Sequence, residues 1–400
     1  MDIENLDKWA KIKGIQVLGT GDFTHPKWLK ELRENLEPVE PGLFKFKKSD
    51  SGVRFILTVE ISSIYSKNNR TRKIHNIIFA PDFETVEKIN AHLGWIGNLK
   101  SDGRPILGLD AKELAKIILN VSEDCLIVPA HAWTPWFSVF GSNSGFDSIE
   151  ECFEEFSKYI YSIETGLSSD PAMNWRLSAL DNITLISNSD AHSPHKLGRE
   201  ANVLDLKKID YRSIIKAIKQ PHSEDCRFLY TIEFFPEEGK YHFDGHRNCG
   251  ICLSPEESKK YNNLCPKCGK PITIGVMNRI NKLADRPVGA KPAKAIPFKS
   301  LIPLEEIIAD VLRVGVGTKQ VTEYYKELIK RIGSEIKILL EAGRSEIMAA
   351  SLPEIAEGVI RVREGRINVK PGYDGEYGKI SILGDKEKKE NKVGGQKSLF

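Results

Sequence analysis

The chain has no run of about eighteen apolar residues, the length that a membrane-spanning helix requires, although 40% of its 400 residues are hydrophobic. Its first four residues include two acids, where a secretion signal would carry basic residues. The seven cysteines lack the spacing of a secreted disulfide framework. Lysine and arginine (58) almost balance aspartate and glutamate (55), so net charge alone predicts no polyanionic partner. These absences predict a cytoplasmic globular protein with reduced thiols and no membrane contact.

Strand-like and helical stretches alternate over residues 1–225, a pattern typical of an α/β unit with a parallel sheet. Helices are predicted at residues 2–13, 110–119, 148–162 and 211–219. If the parallel strands close into a barrel, their ends meet on one face, where active sites of such barrels lie. The first 225 residues are therefore predicted to form a barrel with its site at the strand ends.

Carboxylates and imidazoles follow or interrupt the apolar runs of this unit. Residues 183–186 form a short buried strand that leads to Asp190 and His192, and similar runs precede the other candidates. The pairing of hard oxygen with borderline nitrogen ligands suits a catalytic divalent metal. The predicted ligands are Asp22, His25, Glu60, His75, His131, Asp190 and His192, with Asp190, His192 and Glu60 closest to the chemistry.

Each of these residues also has a simpler interpretation. A lone histidine on a strand is most often a hydrogen-bonded core or rim residue. Asp22 is a suitable N-cap for the next helix, and Glu60 could pair with a basic residue. Four of the nine histidines nevertheless fall at these positions, which favours one shared metal site.

Residues 226–275 contain two cysteine pairs, Cys249-x2-Cys252 and Cys265-x2-Cys268, separated by twelve residues. Each pair can bring two thiolates to one ion within a tight turn, and four thiolates complete a closed tetrahedral site. This spacing predicts a zinc ribbon in which the zinc has a structural role.

Residues 276–384 are predicted to form a helical domain that either binds DNA or braces the barrel. One helix is expected over residues 318–342, with an apolar stripe at Val321, Tyr325, Leu328, Ile332, Ile336 and Leu339. Residues 259–300 hold ten basic residues and one acid, which either neutralise phosphates or form a solvated linker. Residues 385–400 form a charged tail, predicted to be disordered.

The sequence resembles the PHP metallo-phosphoesterases, and more closely the endonuclease Q family of DNA-repair nucleases. The matching motifs are Gly19-Thr20-Gly21-Asp22 with His25-Pro26, Thr58-Val59-Glu60-Ile61-Ser62, Pro129-Ala130-His131-Ala132-Trp133, Glu164-Thr165-Gly166-Leu167-Ser168-Ser169-Asp170 and Asn188-Ser189-Asp190-Ala191-His192-Ser193. The resemblance implies a distorted (β/α)7 barrel and two or three catalytic cations (zinc, manganese or magnesium), with Glu60 as a bridging ligand. It also implies nicking on the 5′ side of uracil, hypoxanthine, xanthine or an abasic site, by a protein associated with the nucleoid.

The resemblance is incomplete at the start of the chain. PHP proteins open with a strand that carries a His-x-His motif, and no such motif precedes Asp22. About twenty residues, a strand and its loop, are therefore expected to be missing before Met1, either because the start codon is assigned too late or because this protein has lost the strand. The first barrel strand would then be absent, and the chain starting at Met1 is expected to be weakly active until upstream codons are restored.

Several further residues are candidates for binding partners. Contacts with DNA or a lesion are predicted for Trp133, Trp136, Glu164, Ser168, Ser169 and Asp170, although the aromatic residues could equally pack against the barrel rim. Gln396, Leu399 and Phe400 end the chain in a peptide that resembles the sliding-clamp ligand of bacteria. Two alternative functions stay open, a phosphatase acting on a small phosphate monoester and a catalytically impaired DNA-binding protein tethered to the clamp.

Overall fold

The structure, a computed structural model, describes residues 2–101 and 103–382. Its strands are β1 (Val17–Gly19), β2 (Leu36–Pro38), β3 (Phe44–Phe46), β4 (Arg54–Lys67), β5 (Arg70–Ala80), β6 (Ile106–Leu107), β7 (Leu126–Pro129), β8 (Ser162–Glu164), β9 (Thr184–Ile186), β10 (Ala201–Leu206), β11 (Cys226–Glu233), β12 (Asp244–His246), β13 (Ile251–Leu253), β14 (Phe298–Ser300), β15 (Asn368–Lys370) and β16 (Lys379–Ser381).

The helices alternate with strands in the first half of the chain and dominate after residue 300. They are α1 (Ile3–Lys13), α2 (Pro26–Asn35), α3 (Phe83–Gly94), α4 (Ala111–Val121), α5 (Ile149–Phe153), α6 (Pro171–Asn174), α7 (Tyr211–Lys219), α8 (Pro255–Lys260), α9 (Val276–Leu283), α10 (Leu304–Leu312), α11 (Lys319–Ile332), α12 (Glu335–Leu340), α13 (Arg344–Ala350) and α14 (Pro353–Arg363). None of the helices in the described ranges is both long and apolar enough to cross a membrane.

A long hairpin, β4–β5, is the centre of the largest sheet. The two strands pair antiparallel from Leu57↔Ala80 to Lys67↔Arg70, and β7 pairs antiparallel with β5. The prediction of an all-parallel sheet was therefore wrong here, although β1 and β6 do pair parallel with β4. The cause is the two-residue turn Asn68-Asn69, whose φ angles of 54° and 58° suit asparagine and connect strands directly into a hairpin.

The mixed α/β class is confirmed, but a closed barrel is not observed among the described residues. The strands form a seven-stranded sheet, the three-stranded sheet β10–β11–β14 and three two-stranded sheets. One of the small sheets is the parallel pair β8–β9. Strand β11 lies at the start of the predicted zinc segment. It pairs with β10, which precedes that segment, and with β14, which follows it, so one sheet contains strands from both sides of the segment.

The apolar stripe of the C-terminal helices is core, as helical stripes usually are. Val321, Tyr325, Leu328 and Ile332 of α11 are buried in a cluster of the surrounding helices. The predicted single helix over residues 318–342 is two helices instead, because the chain turns at Gly333 with a φ of 124°, which other residues rarely adopt.

A buried ion pair connects α1 to the C-terminal helices. Lys13 Nζ lies 2.5 Å from Glu335 Oε2, and both side chains are at most 5% exposed. Tyr325 Oη donates a second hydrogen bond to Glu335 Oε2 at 2.6 Å. Removing one partner of such a pair costs about 3–5 kcal/mol, so this contact helps to hold α1 against the C-terminal helices.

Candidate active site

Glu60, His75 and His131 converge on one point. His75 Nδ1 lies 2.8 Å and His131 Nε2 3.2 Å from the same oxygen, Glu60 Oε1, and the two ring nitrogens are 3.2 Å apart. Three ligand atoms in this arrangement are able to hold one metal ion. Burial alone would raise the pKa of Glu60; where His131 and His75 carry their protons on the nitrogens that face this carboxylate, their hydrogen bonds lower its pKa well below its usual value.

Hydroxyl groups on the far side of each imidazole orient the two rings. His75 Nε2 lies 3.1 Å from Ser62 Oγ, and His131 Nδ1 lies 3.2 Å from Thr134 Oγ1. If each of these nitrogens donates its proton to the hydroxyl, the nitrogens facing Glu60 keep their lone pairs. Metal-binding histidines in proteins are fixed in the same way by a hydrogen bond on the other ring nitrogen.

The platform for these residues is the β4–β5 hairpin. Glu60 lies in the middle of β4, so its predicted position at a strand end was wrong, whereas His75 is within β5 as predicted. Ser62 pairs directly with His75 across the hairpin, which explains their contact. His131 follows the end of β7, which pairs with β5 and so brings the third ligand to the same place.

His131 occupies a strained backbone conformation, with a φ of 30°. Glu164 Oε2 accepts a hydrogen bond from the backbone N–H of His131 at 2.6 Å, and Gly166 packs so closely that a Cβ there would lie 2.6 Å from the His131 Cβ. Burial raises the pKa of Glu164 to about 7. Such strain persists only where surrounding contacts impose it, and it is common at active sites.

The remaining predicted ligands line the same cleft, which has a volume of about 1290 Å³. Asp22 (φ 44°) and Asp190 (φ 42°) are also in the left-handed region, each in the loop after a strand. His25 is the N-cap residue of α2, so Asp22 does not take the capping role considered above. His192 is exposed, with Nδ1 2.9 Å from the Asp190 carbonyl oxygen. Asp22, His25, Asp190 and His192 lie outside the three-residue group.

Arg104, which no sequence pattern indicated, contacts two of the acids in the cleft. Its Nε is 2.5 Å from Glu60 Oε2 and its Nη2 is 3.1 Å from Asp190 Oδ1. The interpretation of Glu60 as a partner of a basic residue is therefore correct alongside its role in the cluster. The search of the sequence for metal ligands passed over Arg104 because arginine does not bind metal ions. The strand that follows it, β6, has only two residues, so no apolar run pointed to this position.

Most of the predicted DNA-contact residues are buried and have structural roles. Trp133 is 1% exposed, donates to Asn174 Oδ1 at 2.7 Å and stacks on Phe140. Glu164, Ser168 and Ser169 are also buried, although Glu164 lines the cleft, and the DNA contacts expected of these four residues stay predictions. Trp136 is 37% exposed, and Asp170 caps α6 through the Met173 N–H.

The cysteine cluster differs in one member from the prediction. His246, Cys249, Cys265 and Cys268 bring their ligand atoms within 4.8 Å of one another, whereas Cys252 is not in the group. Cys252 pairs with Gly245 across β12–β13, and His246 pairs with Ile251. Because neighbouring strand residues point to opposite faces, Cys252 faces away from the side that His246 occupies.

Part of the basic stretch at residues 259–300 has structural contacts. Arg279 is 6% exposed and donates to the Phe140 and Phe146 carbonyl oxygens. Arg286 pairs with Asp181 through two hydrogen bonds of 2.6 Å. These two arginines brace the sheet-bearing half of the chain. The predicted clamp peptide, with Gln396, Leu399 and Phe400, lies outside the described residues.

The fold matches solved structures over nearly the full length of the chain. The crystal structure of the lesion-specific endonuclease PfuEndoQ from Pyrococcus furiosus superposes with a TM-score of 0.85 at 32% identity, covering 97% of this chain and 92% of that one. The chain belongs to the endonuclease Q family. An endonuclease Q complex with a 27-mer duplex carrying an abasic lesion at its active site matches at the same score and identity, over 93% of its length.

Three sequence matches relate the chain to further proteins. Residues 303–366 match the family described as the MJ0043 C-terminal domain. The uncharacterized protein MJ0043 of Methanocaldococcus jannaschii is 37% identical over 259 residues, which are 63% of this chain but only 31% of that protein. The uncharacterized protein YqxK of Bacillus subtilis is 28% identical over 380 residues, covering 92% of this chain and 89% of that protein.

Proposed function

We propose that this protein cleaves a DNA phosphodiester beside a damaged nucleotide, with a divalent cation held by Glu60, His75 and His131. The observation that carries the proposal is the convergence of these three donors at 2.8–3.2 Å in a cleft that also holds Asp22 and Asp190. A solved relative of the same fold has an abasic lesion at its active site, which supports DNA as the substrate.

The chemistry of the donor set suits a cation. With the outer ring nitrogens protonated toward Ser62 and Thr134, two lone pairs and a carboxylate oxygen face one another. Such a group is repulsive unless positive charge lies between its members. Two imidazoles and a carboxylate are typical of sites for zinc or manganese, and the ion would supply Lewis acidity and an activated water.

The protein residues orient the reaction and move protons. Glu164 and Gly166 fix the backbone of His131, and Ser62 fixes the ring of His75. When His192 donates from Nδ1 to the Asp190 carbonyl oxygen, its Nε2 is left as a proton acceptor at the cleft. We propose His192 as the group that exchanges a proton with the attacking water or the leaving oxygen.

The proposed substrates are duplexes with uracil, hypoxanthine, xanthine or an abasic site, nicked on the 5′ side of the lesion. A base inside a duplex must leave the stack before a protein can inspect it, and damaged positions cost least to open. The cleft volume of about 1290 Å³ is sufficient for an extruded nucleotide. The exposed side chain of Trp136 is a candidate stacking surface.

Cleavage of end-labelled duplexes tests this function. Each duplex carries one uracil, hypoxanthine, xanthine or abasic site, or no lesion, and is incubated with magnesium, manganese or zinc. We expect nicking 5′ of the lesion that depends on added metal and is lost in Asp190→Ala but kept in Asp225→Ala, whose carboxylate pairs with Lys207 on the surface. Turnover of a chromogenic phosphate ester without DNA nicking would favour the small-molecule phosphatase instead.

We further propose that the C-terminal peptide attaches the protein to a sliding clamp. A glutamine followed by two terminal hydrophobic residues, on a charged tether, suits insertion into a pocket of a partner. Fluorescence polarisation of a labelled peptide spanning residues 392–400 against a bacterial clamp tests this. Binding that disappears when Leu399 and Phe400 become alanine is expected, and equal binding by both peptides would contradict it.

A further inference from the structure

A patch of exposed apolar side chains lies where α3 ends and β6 begins. Trp95 is 92% and Ile106 62% exposed, and Ile96 is exposed as well. The two ends of the connecting loop are in contact, since a Cβ at Gly97 would lie 2.6 Å from Leu107 Cδ2. Single exposed apolar residues are common on protein surfaces, whereas a cluster of them is typical of a binding surface. We call Trp95, Ile96 and Ile106 the Trp95 patch.

The pairing of β6 with β4 places Ile106 on the face of the sheet that carries the candidate metal site. Ile106 pairs with Ser62, and the Ser62 N–H donates to the Pro105 carbonyl oxygen at 3.0 Å. Because side chains alternate along a strand, Ile106 lies on the same face as Ser62 and Glu60. The Ser62 hydroxyl in turn contacts His75. The Trp95 patch is therefore next to the site, one strand away from Glu60.

The order of the strands places a second exposed aromatic residue on the other side of the site. Strand β5 pairs with one edge of β4 and β6 with the other, and β7 follows β5, so β6 and β7 flank the β4–β5 hairpin. With neighbouring strands about 4.8 Å apart, β6 and β7 are about 14 Å from each other. Trp136 lies in the loop after β7. A nucleotide that reaches Glu60 and His75 would therefore lie between Trp136 and the Trp95 patch.

DNA bases are the occupant that the surroundings of the patch favour. When a nucleotide leaves the stack, the bases beside it lose a stacking partner. A tryptophan ring can stack on any base, whatever the sequence. The exposed Lys100 of the same loop adds positive charge, which suits a phosphate backbone. The patch is also continuous with the cleft, because Arg104 of this loop contacts two of the cleft acids.

We propose that the Trp95 patch stacks on the base beside the damaged nucleotide and fills the gap that extrusion of this nucleotide leaves in the duplex. Trp95 supplies the stacking ring, and Ile96 and Ile106 exclude water around it. This role rests on the proposed function. It makes Trp95 a positioning residue, which acts on the duplex and touches neither a cation nor the reacting phosphate.

Nicking of two abasic substrates tests the proposal. In one substrate the lesion lies in a fully paired duplex, and in the other it is flanked by unpaired bases on both sides. On the paired duplex, Trp95→Ala is expected to nick about tenfold more slowly than wild type, because the stacking that holds the duplex open is lost. On the substrate with unpaired flanks, both proteins are expected to nick at the same rate, because no stack has to be opened. A distorted cleft would slow the nicking of both substrates.

Two further variants serve as controls. Trp95→Phe keeps an aromatic ring and is expected to nick the paired duplex at a rate close to that of wild type. Val39→Ala removes another exposed apolar side chain, which does not line the cleft, and should match wild type on both substrates. Circular dichroism of each variant shows whether it remains folded.

A readout without cleavage separates this inference from the proposed function. The fluorescent base 2-aminopurine is placed beside the abasic site, and the duplex is saturated with Asp190→Ala protein, with or without the Trp95→Ala change. Stacking on Trp95 is expected to quench the fluorescence in the first protein only. That result would support the patch even if wild type nicked no substrate. Nicking by wild type, with equal fluorescence in both proteins, would remove this inference and keep the proposed function.

The other results would also overturn the proposal. Wild-type rates of Trp95→Ala on both substrates would show that the ring has no part in opening the duplex, and equal slowing on both would show a general effect on the cleft. A dimer of wild type in sedimentation velocity that is lost in Trp95→Ala would assign the patch to a second copy of this chain instead.

Discussion

Three acidic or imidazole side chains at the cleft share an unfavourable backbone conformation. Asp22, His131 and Asp190 all have φ between 30° and 44°, a region that costs non-glycine residues about 1–3 kcal/mol each. Each lies in a loop directly after a strand, where the turn re-aims the side chain into the cleft. These backbone conformations lower the stability of the fold, and in return they point the three side chains into the cleft.

Gly166 is the residue on which the position of His131 depends most closely. In Gly166→Ala the new methyl group would overlap the Cβ and Cα of His131, so we expect His131 to shift and the nicking rate to fall about a hundredfold, as for a displacement of about 1 Å. The rate on an abasic duplex measures this. Gly52→Ala is the control, because Gly52 also has a positive φ (84°) but no atom near the new methyl group. Equal losses of activity in both variants would contradict the contact argument.

The sequence identified the three residues that converge in the cleft but not their partners. Glu60, His75 and His131 could be predicted because carboxylates and imidazoles in or after apolar runs are uncommon enough to attract attention. Arg104 could not, since its role arises from contacts with residues 44 and 86 positions away. His246 was missed because the regular Cys-x2-Cys spacing already supplied four ligands.

Two hairpins carry the two candidate metal sites. In β4–β5, direct pairing of Ser62 with His75 sets the ring of a ligand, and in β12–β13 the alternation of side chains selects His246 over Cys252. The first hairpin was predictable in part: the apolar runs were recognised, but the Asn-Asn turn was not, and the strands were therefore assigned to separate parallel units. The turn at Asn68 and Asn69 makes β4 and β5 antiparallel.

Cys252 lies on the face of β13 that points away from the His246–Cys249–Cys265–Cys268 cluster, so we predict that it is not needed to bind the structural metal. Zinc content after dialysis should be close to one ion per chain in wild type and in Cys252→Ser, and close to zero in Cys265→Ser and His246→Ala. Because a structural zinc contributes on the order of 10 kcal/mol to folding, the latter two variants should also melt at lower temperature. Loss of zinc from Cys252→Ser to the same extent as from Cys265→Ser would restore the four-cysteine site.

Several acids of the described part of the chain are buried near the cleft. Glu233 is fully buried, accepts from Thr165 Oγ1 at 2.9 Å and Ser187 Oγ at 3.1 Å, and has no hydrogen-bond partner for Oε1 among the described residues. Burial raises the pKa of Glu233 to about 8, and burial with the charge of Glu233 raises the pKa of Glu200 well above its usual range. Near neutral pH these groups are protonated in the folded protein.

Stability should therefore decrease as the pH rises. Between the unfolded pKa of Glu233, about 4.3, and its folded value, the folded state holds a proton that the unfolded state has lost, which costs about 1.4 kcal/mol per pH unit. Urea unfolding at pH 5, 6, 7 and 8 should show a shallower decline in Glu233→Gln than in wild type. The exposed Glu323→Gln should follow wild type, and parallel curves for all three proteins would contradict the raised pKa.

The cysteine-rich segment and the helices after residue 300 could be anticipated from the sequence, but their contacts with the rest of the chain could not. The helical C-terminal region and the cysteine-rich segment were recognised, whereas the pairing of β11 with β10 and β14 and the buried Lys13–Glu335 pair connect regions that the sequence divides. Contacts between residues more than 300 positions apart leave no local pattern.

The most direct test of the proposed nuclease is the rate at which Glu60→Gln nicks an abasic duplex in saturating Mn²⁺. Glutamine keeps the size of Glu60 but removes the charge that faces His75, His131 and Arg104. The expected rate is lower than that of wild type by about a thousandfold or more, while Glu40→Gln, changed at the surface pair with Arg54, nicks at the wild-type rate. Nicking by a folded Glu60→Gln at the wild-type rate would contradict the assignment of this cleft as the active site.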